Sequence, residues 1–319
     1  MTTKPESPEL APGFDGCGIF EGIPFEEYEQ WAGLNKSNLW ILKRNPPAKY
    51  RYAVERGLTQ RKPCLDWGQA VHFAVLEPER FEEKVACCPA TYTNAKGEEK
   101  PWSGNATVCR KWKAKHEAEG HVILDREEIE AAQEAARNVL KTCPQIAGWK
   151  HEIAIQWHDA ETGVLCRGRI DFWSEEDNLF GDLKTCISAH VESLTRSAKR
   201  LGYWEQLLFY RDGLTTLVGG EPPQPYILAV ESDAPYLAAE RPWDMVYGED
   251  EARLSYRHFL KTVKRCRETG KWPGYQTEHI RPDPWTWGED NYDDGTSEVP
   301  DAAIGGGEDA GELPGALGF

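Results

Sequence analysis

The sequence predicts an α/β fold in which helices flank a central sheet, and three observations lead to that prediction. Residues 164–173 and 179–185 are apolar runs of strand length joined by a polar stretch at 175–178, a pattern typical of a β-hairpin. Longer stretches with helical periodicity lie on either side of this hairpin, at 66–77 and 190–214. The hairpin therefore marks the centre of the predicted sheet.

Length and charge define the overall organisation. The chain has 319 residues, enough for a packed core, and a formal net charge of −16. Residues 289–319 contain nine acidic residues and no Lys or Arg, so the rest of the chain carries only about −7. We expect a disordered tail at 1–14, one folded domain at 15–288 and an acidic disordered tail at 289–319.

Cysteine spacing and hydropathy exclude several classes of protein. The nine cysteines show no C-x-x-C spacing, so we expect reduced thiols rather than structural zinc or an iron–sulfur cluster. No run of 18 apolar residues is present, and the first residues lack the apolar segment of a secretory signal. The sequence predicts a cytoplasmic protein that is not inserted in a membrane.

The hairpin brings two carboxylates together. A four-residue turn at 175–178 places Asp171 opposite Asp182, with their Cβ atoms about 5 Å apart. Lys184 follows two positions later and returns to the face of Asp182. Adjacent carboxylates repel each other unless a cation lies between them, and hard oxygen ligands suit Mg²⁺ or Mn²⁺. An Asp-x-Lys tripeptide alone is more often an ordinary ion pair, but the apolar flanks indicate buried strands and favour a metal site.

Two further residues are candidates for the same site. Glu152 lies on the preceding predicted strand, and the length of the next turn decides where it points. A four-residue turn at 160–163 places Glu152 opposite Asp171, whereas a five-residue turn directs it to the other face, and both alternatives stay open. His72 falls within an apolar helical pattern, where a lone histidine is usually an ordinary core or surface residue.

Polar side chains recur at intervals of three and four residues along the predicted helix 190–214. Such a stripe is commonly a solvated face, but this one starts directly after the acidic cluster, so phosphate and base contacts are an alternative. Its members are Arg196, Lys199, Arg200, Tyr203, Gln206 and Tyr210.

Other elements follow from local signals. A helix capped near Asn35 or Ser37 precedes two prolines, and Asp125 opens a helix with a capping box. We also expect strands at 151–158, 225–231 and 243–247, a loop at 91–105, and a last helix at 250–269.

Four short motifs occur together in this chain: G-Q-A-V-H at 68–72, G-R-I-D at 168–171, D-L-K-T at 182–185 and Q-x-x-x-Y at 206–210. In combination they resemble the PD-(D/E)XK nuclease superfamily and, within it, the RecE-like exonucleases (exonuclease VIII) of phages and prophages. The likeness covers about residues 20–287. It implies a restriction-endonuclease-like α/β (α+β) core, with a central mixed sheet flanked by helices.

The resemblance also implies an activity. Such a protein would be a Mg²⁺-dependent exodeoxyribonuclease, with Mn²⁺ as a substitute, that digests linear double-stranded DNA from free 5′ ends. It would pass the exposed 3′ strand to a single-strand annealing protein and form a ring-shaped homo-oligomer. An endonuclease of restriction or repair type, or a catalytically silent DNA-binding subunit of a recombination complex, are the alternatives.

The matching positions carry over specific roles. The implied metal ligands are His72, Asp171, Asp182 and the Leu183 carbonyl. The implied catalytic residues are Asp171, Asp182 and Lys184, the last positioning or activating the attacking water, with Glu152 as a further acid. The implied DNA contacts are Arg200, Tyr203, Gln206 and Tyr210.

Overall fold

The computed structural model describes residues 16–55, 66–244 and 248–276. The predicted tails at 1–14 and 289–319 lie outside this part of the chain. The helices are α1 (Phe25–Tyr28), α2 (Lys36–Arg44), α3 (Pro47–Glu55), α4 (Asp66–Leu76), α5 (Phe81–Lys84), α6 (Thr107–Ala118), α7 (Arg126–Thr142), α8 (Val191–Leu201), α9 (Tyr203–Val218) and α10 (Glu249–Thr269). The strands are β1 (Gly18–Phe20), β2 (Val85–Cys87), β3 (Thr91–Thr93), β4 (Glu99–Pro101), β5 (Val122–Leu124), β6 (Lys150–His158), β7 (Leu165–Ser174), β8 (Leu179–Cys186), β9 (Gln224–Glu231) and β10 (Ala238–Pro242).

A six-stranded mixed sheet forms the centre of the fold, in the order β1-β6-β7-β8-β9-β10. Strands β6, β7 and β8 form an antiparallel meander, and β9 pairs in parallel with β8 after the crossover through α8 and α9. The outer pairs β1–β6 and β9–β10 are antiparallel. The predicted α/β fold with a central mixed sheet is confirmed.

Helices cover both faces of this sheet, because its strands carry apolar side chains on each side. One core joins α2, α8, α9 and α10 to the sheet, with Ile153, Trp157 and Phe180 fully buried in it. The other joins α4 and α7 to the opposite face, around Phe172 and Leu183. The strands of the meander are thus buried from two sides.

Helix starts follow the local signals. The Asn35 side chain accepts a hydrogen bond from the Asn38 N–H at 3.0 Å, and the Asn38 side chain accepts one from the backbone N–H of Asn35 at 3.1 Å. Asp125 and Glu128 form the same reciprocal box at the start of α7. Each box satisfies backbone N–H groups that a helix terminus leaves without partners, so these two helix starts could be predicted locally.

The strand registers follow from turn lengths. Ser174 pairs with Leu179 and Phe172 with Gly181, the register that places Asp171 opposite Asp182. At the other turn the Asp159 N–H donates to the Val164 carbonyl at 2.9 Å, which leaves four residues in the loop. The structure therefore selects the alternative in which Glu152 belongs opposite Asp171.

Three predicted elements were wrong. The predicted helix 190–214 is two helices, because Gly202 adopts a left-handed conformation with φ 71° between α8 and α9. A strand predicted at 243–247 lies earlier, at β10, and residues 245–247 are outside the described part of the chain. The predicted loop at 91–105 contains the short hairpin β3–β4.

Candidate active site

Asp171 lies where strands β7 and β8 separate. The antiparallel residue pairs of these strands run from Ser174–Leu179 to Phe172–Gly181. One residue further, Oδ2 of Asp171 accepts a hydrogen bond from the backbone N–H of Leu183 at 2.7 Å. The carboxylate therefore bridges the two strands at the position where their backbones part.

Asp182 and Lys184 form an ion pair on one face of β8. The Lys184 ammonium contacts Oδ2 of Asp182, as expected for residues two apart on a strand. Asp182 has only 4 % of its side chain exposed, and Lys184 has 19 %. Burial alone would raise the pKa of Asp182, but the Lys184 charge and hydrogen bond outweigh it and lower that pKa. Asp182 is therefore held as a carboxylate.

His72 reaches the site from α4. Its Nδ1 lies 3.6 Å from Oδ2 of Asp171. A close helix–strand approach allows this, because a Cβ atom at Gly68, one turn earlier, would lie 3.0 Å from Oγ1 of Thr185 on β8. The motifs at 68–72 and 182–185 thus pack against each other, and Gly68 is the residue that permits the contact.

Glu152 completes the group from β6. Its φ of 54° interrupts the strand between the pairs His151–Phe172 and Ile153–Ile170. The Glu152 carboxylate forms an ion pair with Arg169, and Arg169 also donates from Nη1 to the Ile23 carbonyl at 2.9 Å. The backbone conformation and the guanidinium together fix the orientation of Glu152.

His72, Glu152 and Asp171 are close enough to share one cation. Each offers one ligand atom, and these atoms lie within 4.8 Å of one another. Two carboxylates and an imidazole suit a divalent ion such as Mg²⁺ or Mn²⁺, the imidazole being the softer donor. Within the described residues this donor set therefore fits a divalent metal.

The electrostatics of the group also favour a cation. Burial, followed by the charges of Asp182 and Glu152, raises the pKa of Asp171 well above its ordinary value. Burial lowers the pKa of His72, which favours the neutral imidazole that metals bind. Three carboxyl groups thus converge in a buried place, and Asp171 is the one that has no Lys or Arg within ion-pairing distance among the described residues.

The observed group differs from the ligand set implied by the resemblance. Glu152, whose direction the sequence left open, belongs to the group, whereas Asp182 falls outside it and pairs with Lys184. Leu183 contributes through its backbone, since its N–H donates to the Asp171 carboxylate.

The four residues expected to contact DNA divide into two sets. Arg200, at the end of α8, is exposed. Tyr203, Gln206 and Tyr210 on α9 are each less than 10 % exposed, so the expectation of one continuous polar stripe was wrong. Helix α9 packs against the sheet and turns these side chains inward, with Tyr210 against Gly168.

The sequence reasoning missed Arg169. Its guanidinium lies beside Glu152 and only 9 % of its side chain is exposed. The only sequence signal was its position in the G-R-I-D motif, two residues before Asp171, on a strand with many apolar residues. A cation on a buried strand needs a partner, so its presence there indicated a buried acid nearby.

Comparisons with known proteins concern the fold and the family of this chain. Among the described residues no helix combines the length and apolar character needed to cross a bilayer. No curated protein matches the sequence. A crystal structure from Eubacterium rectale, described as a "Putative exonuclease", superposes with a TM-score of 0.52 at 10 % identity, over 81 % of this chain and 93 % of that chain. Similarity at this level of identity concerns the fold.

A family model also matches, over residues 45–281, and thus includes the two carboxylate motifs, His72, Glu152 and both α9 positions of the Q-x-x-x-Y motif. Its description is "PDDEXK-like domain of unknown function (DUF3799)". Since the match spans well over half of the chain, this protein belongs to that PDDEXK-like family.

Proposed function

We propose that this protein is a divalent-metal-dependent nuclease and, more specifically, a Mg²⁺-dependent exodeoxyribonuclease that acts on linear double-stranded DNA. The observation that carries the proposal is the convergence of His72, Glu152 and Asp171 beside the Asp182–Lys184 ion pair. Membership in a PDDEXK-like family supports the same chemistry. Mn²⁺ would substitute for Mg²⁺, since both prefer oxygen ligands.

Each residue of the site has a role in phosphodiester hydrolysis under this proposal. His72, Glu152 and Asp171 would hold the cation, with Asp182 at its edge. A bound divalent cation at such a site supplies activation of water and stabilisation of charge on the phosphate. Lys184 would orient the attacking water and offset the phosphate charge, because its ammonium is fixed by Asp182.

Arg169 would act as a positioning residue. Its guanidinium holds Glu152 through one ion pair, and a carboxylate has a second oxygen with which to bind a cation. On the substrate side, Arg200 is exposed for phosphate contact, and Tyr203, Gln206 and Tyr210 would line the inner wall of the site. The Gln206 Oε1 atom is buried without a hydrogen-bond partner in the described structure, which suits a group that meets substrate.

The finer features of the proposal come from the resemblance to RecE-like exonucleases. They are digestion from the 5′ end, transfer of the exposed 3′ strand to a single-strand annealing protein, a ring-shaped homo-oligomer and a cytoplasmic location. The cysteines within the described residues are free thiols, which favours a reducing compartment.

A digestion assay tests the proposal. The protein is incubated with linear duplex and covalently closed circular duplex of the same sequence, with Mg²⁺, Mn²⁺ or EDTA. We expect metal-dependent release of nucleotides from the linear DNA and an intact circle, and no digestion by Asp171→Asn. Linear substrates labelled at either the 5′ or the 3′ end give the polarity.

Other outcomes select other functions. Metal-dependent cleavage of the closed circle would indicate an endonuclease of restriction or repair type. Binding of DNA without cleavage in either metal would indicate a silent DNA-binding subunit. Equal activity of the wild type and Asp171→Asn would refute the assigned site.

A further inference from the structure

Two ammonium groups share one aromatic ring beside the candidate active site. Lys184 Nζ lies 4.9 Å from the centre of the Tyr203 ring, and Lys36 Nζ lies 5.9 Å from the same centre. Lys36 is the first residue of α2, and its ammonium is also 5.7 Å from the ring of Trp40. A residue far away in sequence thus extends the positive charge of the site along α9.

The two lysines differ in their partners. Lys184 has the Asp182 carboxylate, whereas no carboxylate of the described residues lies within ion-pairing distance of Lys36. Lys43, on the same helix and 5.0 Å from the same Trp40 ring, is paired with Glu205. Within the described part of the chain Lys36 therefore has no ion-pair partner, and Asp182 and Glu205 attract it only from a longer distance.

An unpaired cation in a partly buried place is costly unless a partner arrives. Burial and then the Lys184 charge lower the pKa of Lys36 to about 8, so the structure disfavours its charge in the absence of an anion. The two aromatic rings provide some compensation through cation–π contacts. They hold the ammonium in place but do not neutralise it, and an anion bound there would do so.

We propose that Lys36 forms a second phosphate subsite, which binds a phosphate of the DNA strand next to the phosphate that is cleaved. The inference rests on the proposed nuclease function and names a contact within it. A compact ammonium suits a phosphate as a point charge, and the N-terminal turn of α2 adds a favourable dipole for an anion. Lys36 and Gln206 line one narrow pocket between α2 and α9, so the buried amide lies beside the proposed subsite.

The position of Lys36 also defines what the subsite does. Tyr203 contacts both ammonium groups and is 9 % exposed, so its ring is a fixed wall rather than a flexible surface. A strand bound to both lysines is held at two neighbouring phosphates. Two fixed points determine the direction of the strand across the site, so Lys36 is a positioning residue for the reacting phosphate.

A chemical double-mutant cycle tests the subsite. Lys36→Met keeps the length of the side chain and its packing on the rings while removing the charge. Lys36→Arg restores the charge, and Lys43→Met is the matched control, because it removes a stacked lysine that already has an acidic partner. Each protein binds linear duplexes that carry one uncharged methylphosphonate at successive positions. Binding is measured by fluorescence anisotropy with Ca²⁺ in place of Mg²⁺, and cleavage is measured with Mg²⁺.

We expect wild-type binding to weaken about tenfold or more when one phosphate adjacent to the cleaved phosphate is neutral. Lys36→Met should bind unmodified DNA more weakly than the wild type by the same factor, and a methylphosphonate at that one position should not weaken its binding further. Its slope of log K against log salt concentration should be smaller by about 0.9. Lys36→Arg and Lys43→Met should behave like the wild type in both measurements.

The inference would be overturned if the losses of binding caused by Lys36→Met and by the methylphosphonate were additive at every position. It would also be overturned if Lys36→Met and Lys43→Met weakened DNA binding equally. If Lys36→Met melts at a lower temperature than the wild type, Lys36→Gln provides the same comparison with a polar side chain. If the wild type cleaves DNA and Lys36→Met binds DNA as tightly as the wild type, the subsite alone is refuted. A wild type that neither binds nor cleaves DNA would refute the proposed function and the subsite with it.

Discussion

Replacing Lys184 by Met removes the ammonium that compensates the most deeply buried carboxylate of the site. Asp182 would remain with 4 % of its side chain exposed, next to the carboxyl group of Asp171. Breaking a buried ion pair by removing one partner costs about 3–5 kcal/mol. For a domain of this size each kcal/mol lowers the melting temperature by about 2–4 °C, so the metal-free variant should melt about 6–20 °C below the wild type.

Metal should reduce this difference. A divalent cation bound by His72, Glu152 and Asp171 supplies positive charge close to Asp182, so it replaces part of what Lys184 provided. We therefore expect Mg²⁺ or Mn²⁺ to raise the melting temperature of Lys184→Met more than that of the wild type. Calorimetric titration should show that metal binding persists, while digestion of linear duplex is lost because the residue that we propose to orient the water is missing.

The control is the double variant Lys184→Met/Asp182→Asn, which removes both charges of the pair. It should recover most of the lost stability, since no uncompensated charge remains, yet stay inactive. Melting curves by circular dichroism, with EDTA and with metal, measure these differences. If Lys184→Met loses no stability in EDTA, or the double variant melts as low as the single one, the Asp182–Lys184 pair is not the compensated charge that we describe.

Three other predictions concern neighbouring features. Because the fold raises the pKa of Asp171, ionisation of this carboxyl group above its ordinary pKa destabilises the metal-free protein. Asp171→Asn should therefore raise the melting temperature in EDTA at neutral pH and abolish the melting-temperature shift that metal causes. A lower melting temperature in EDTA would contradict this. His72→Ala should lose digestion and weaken metal binding with little loss of stability, because 30 % of the side chain is exposed; a sharp fall in melting temperature with full activity would make His72 an ordinary packing residue. Deletion of residues 289–319 should leave an active nuclease whose DNA binding is tighter at low salt, since nine negative charges are removed; an inactive or unfolded product would show that the domain extends further.

The sequence by itself determined the local structure of the centre of the fold. Turn lengths fixed the strand registers, so the placement of Asp171 opposite Asp182 and of Lys184 beside Asp182 could be predicted without a structure. The capping box at Asp125 fixed the start of α7 in the same way, whereas the sequence left the cap of α2 open between Asn35 and Ser37 and the structure has it at Asn35. In each case the interacting groups are a few residues apart, and one geometric rule connects them.

Only the tertiary structure decided which distant groups join the site. Glu152 faces Asp171 because the turn before β7 has four residues and Arg169 holds the carboxylate, and neither fact is visible at Glu152 itself. The same is true of Lys36, which reaches Tyr203 only because α2 packs on the start of α9, at Gly202, where α8 ends. A local pattern records the spacing of residues along the chain, whereas these contacts depend on how separate helices and strands pack. Packing is set by the whole core, and therefore no single segment of the sequence specifies it.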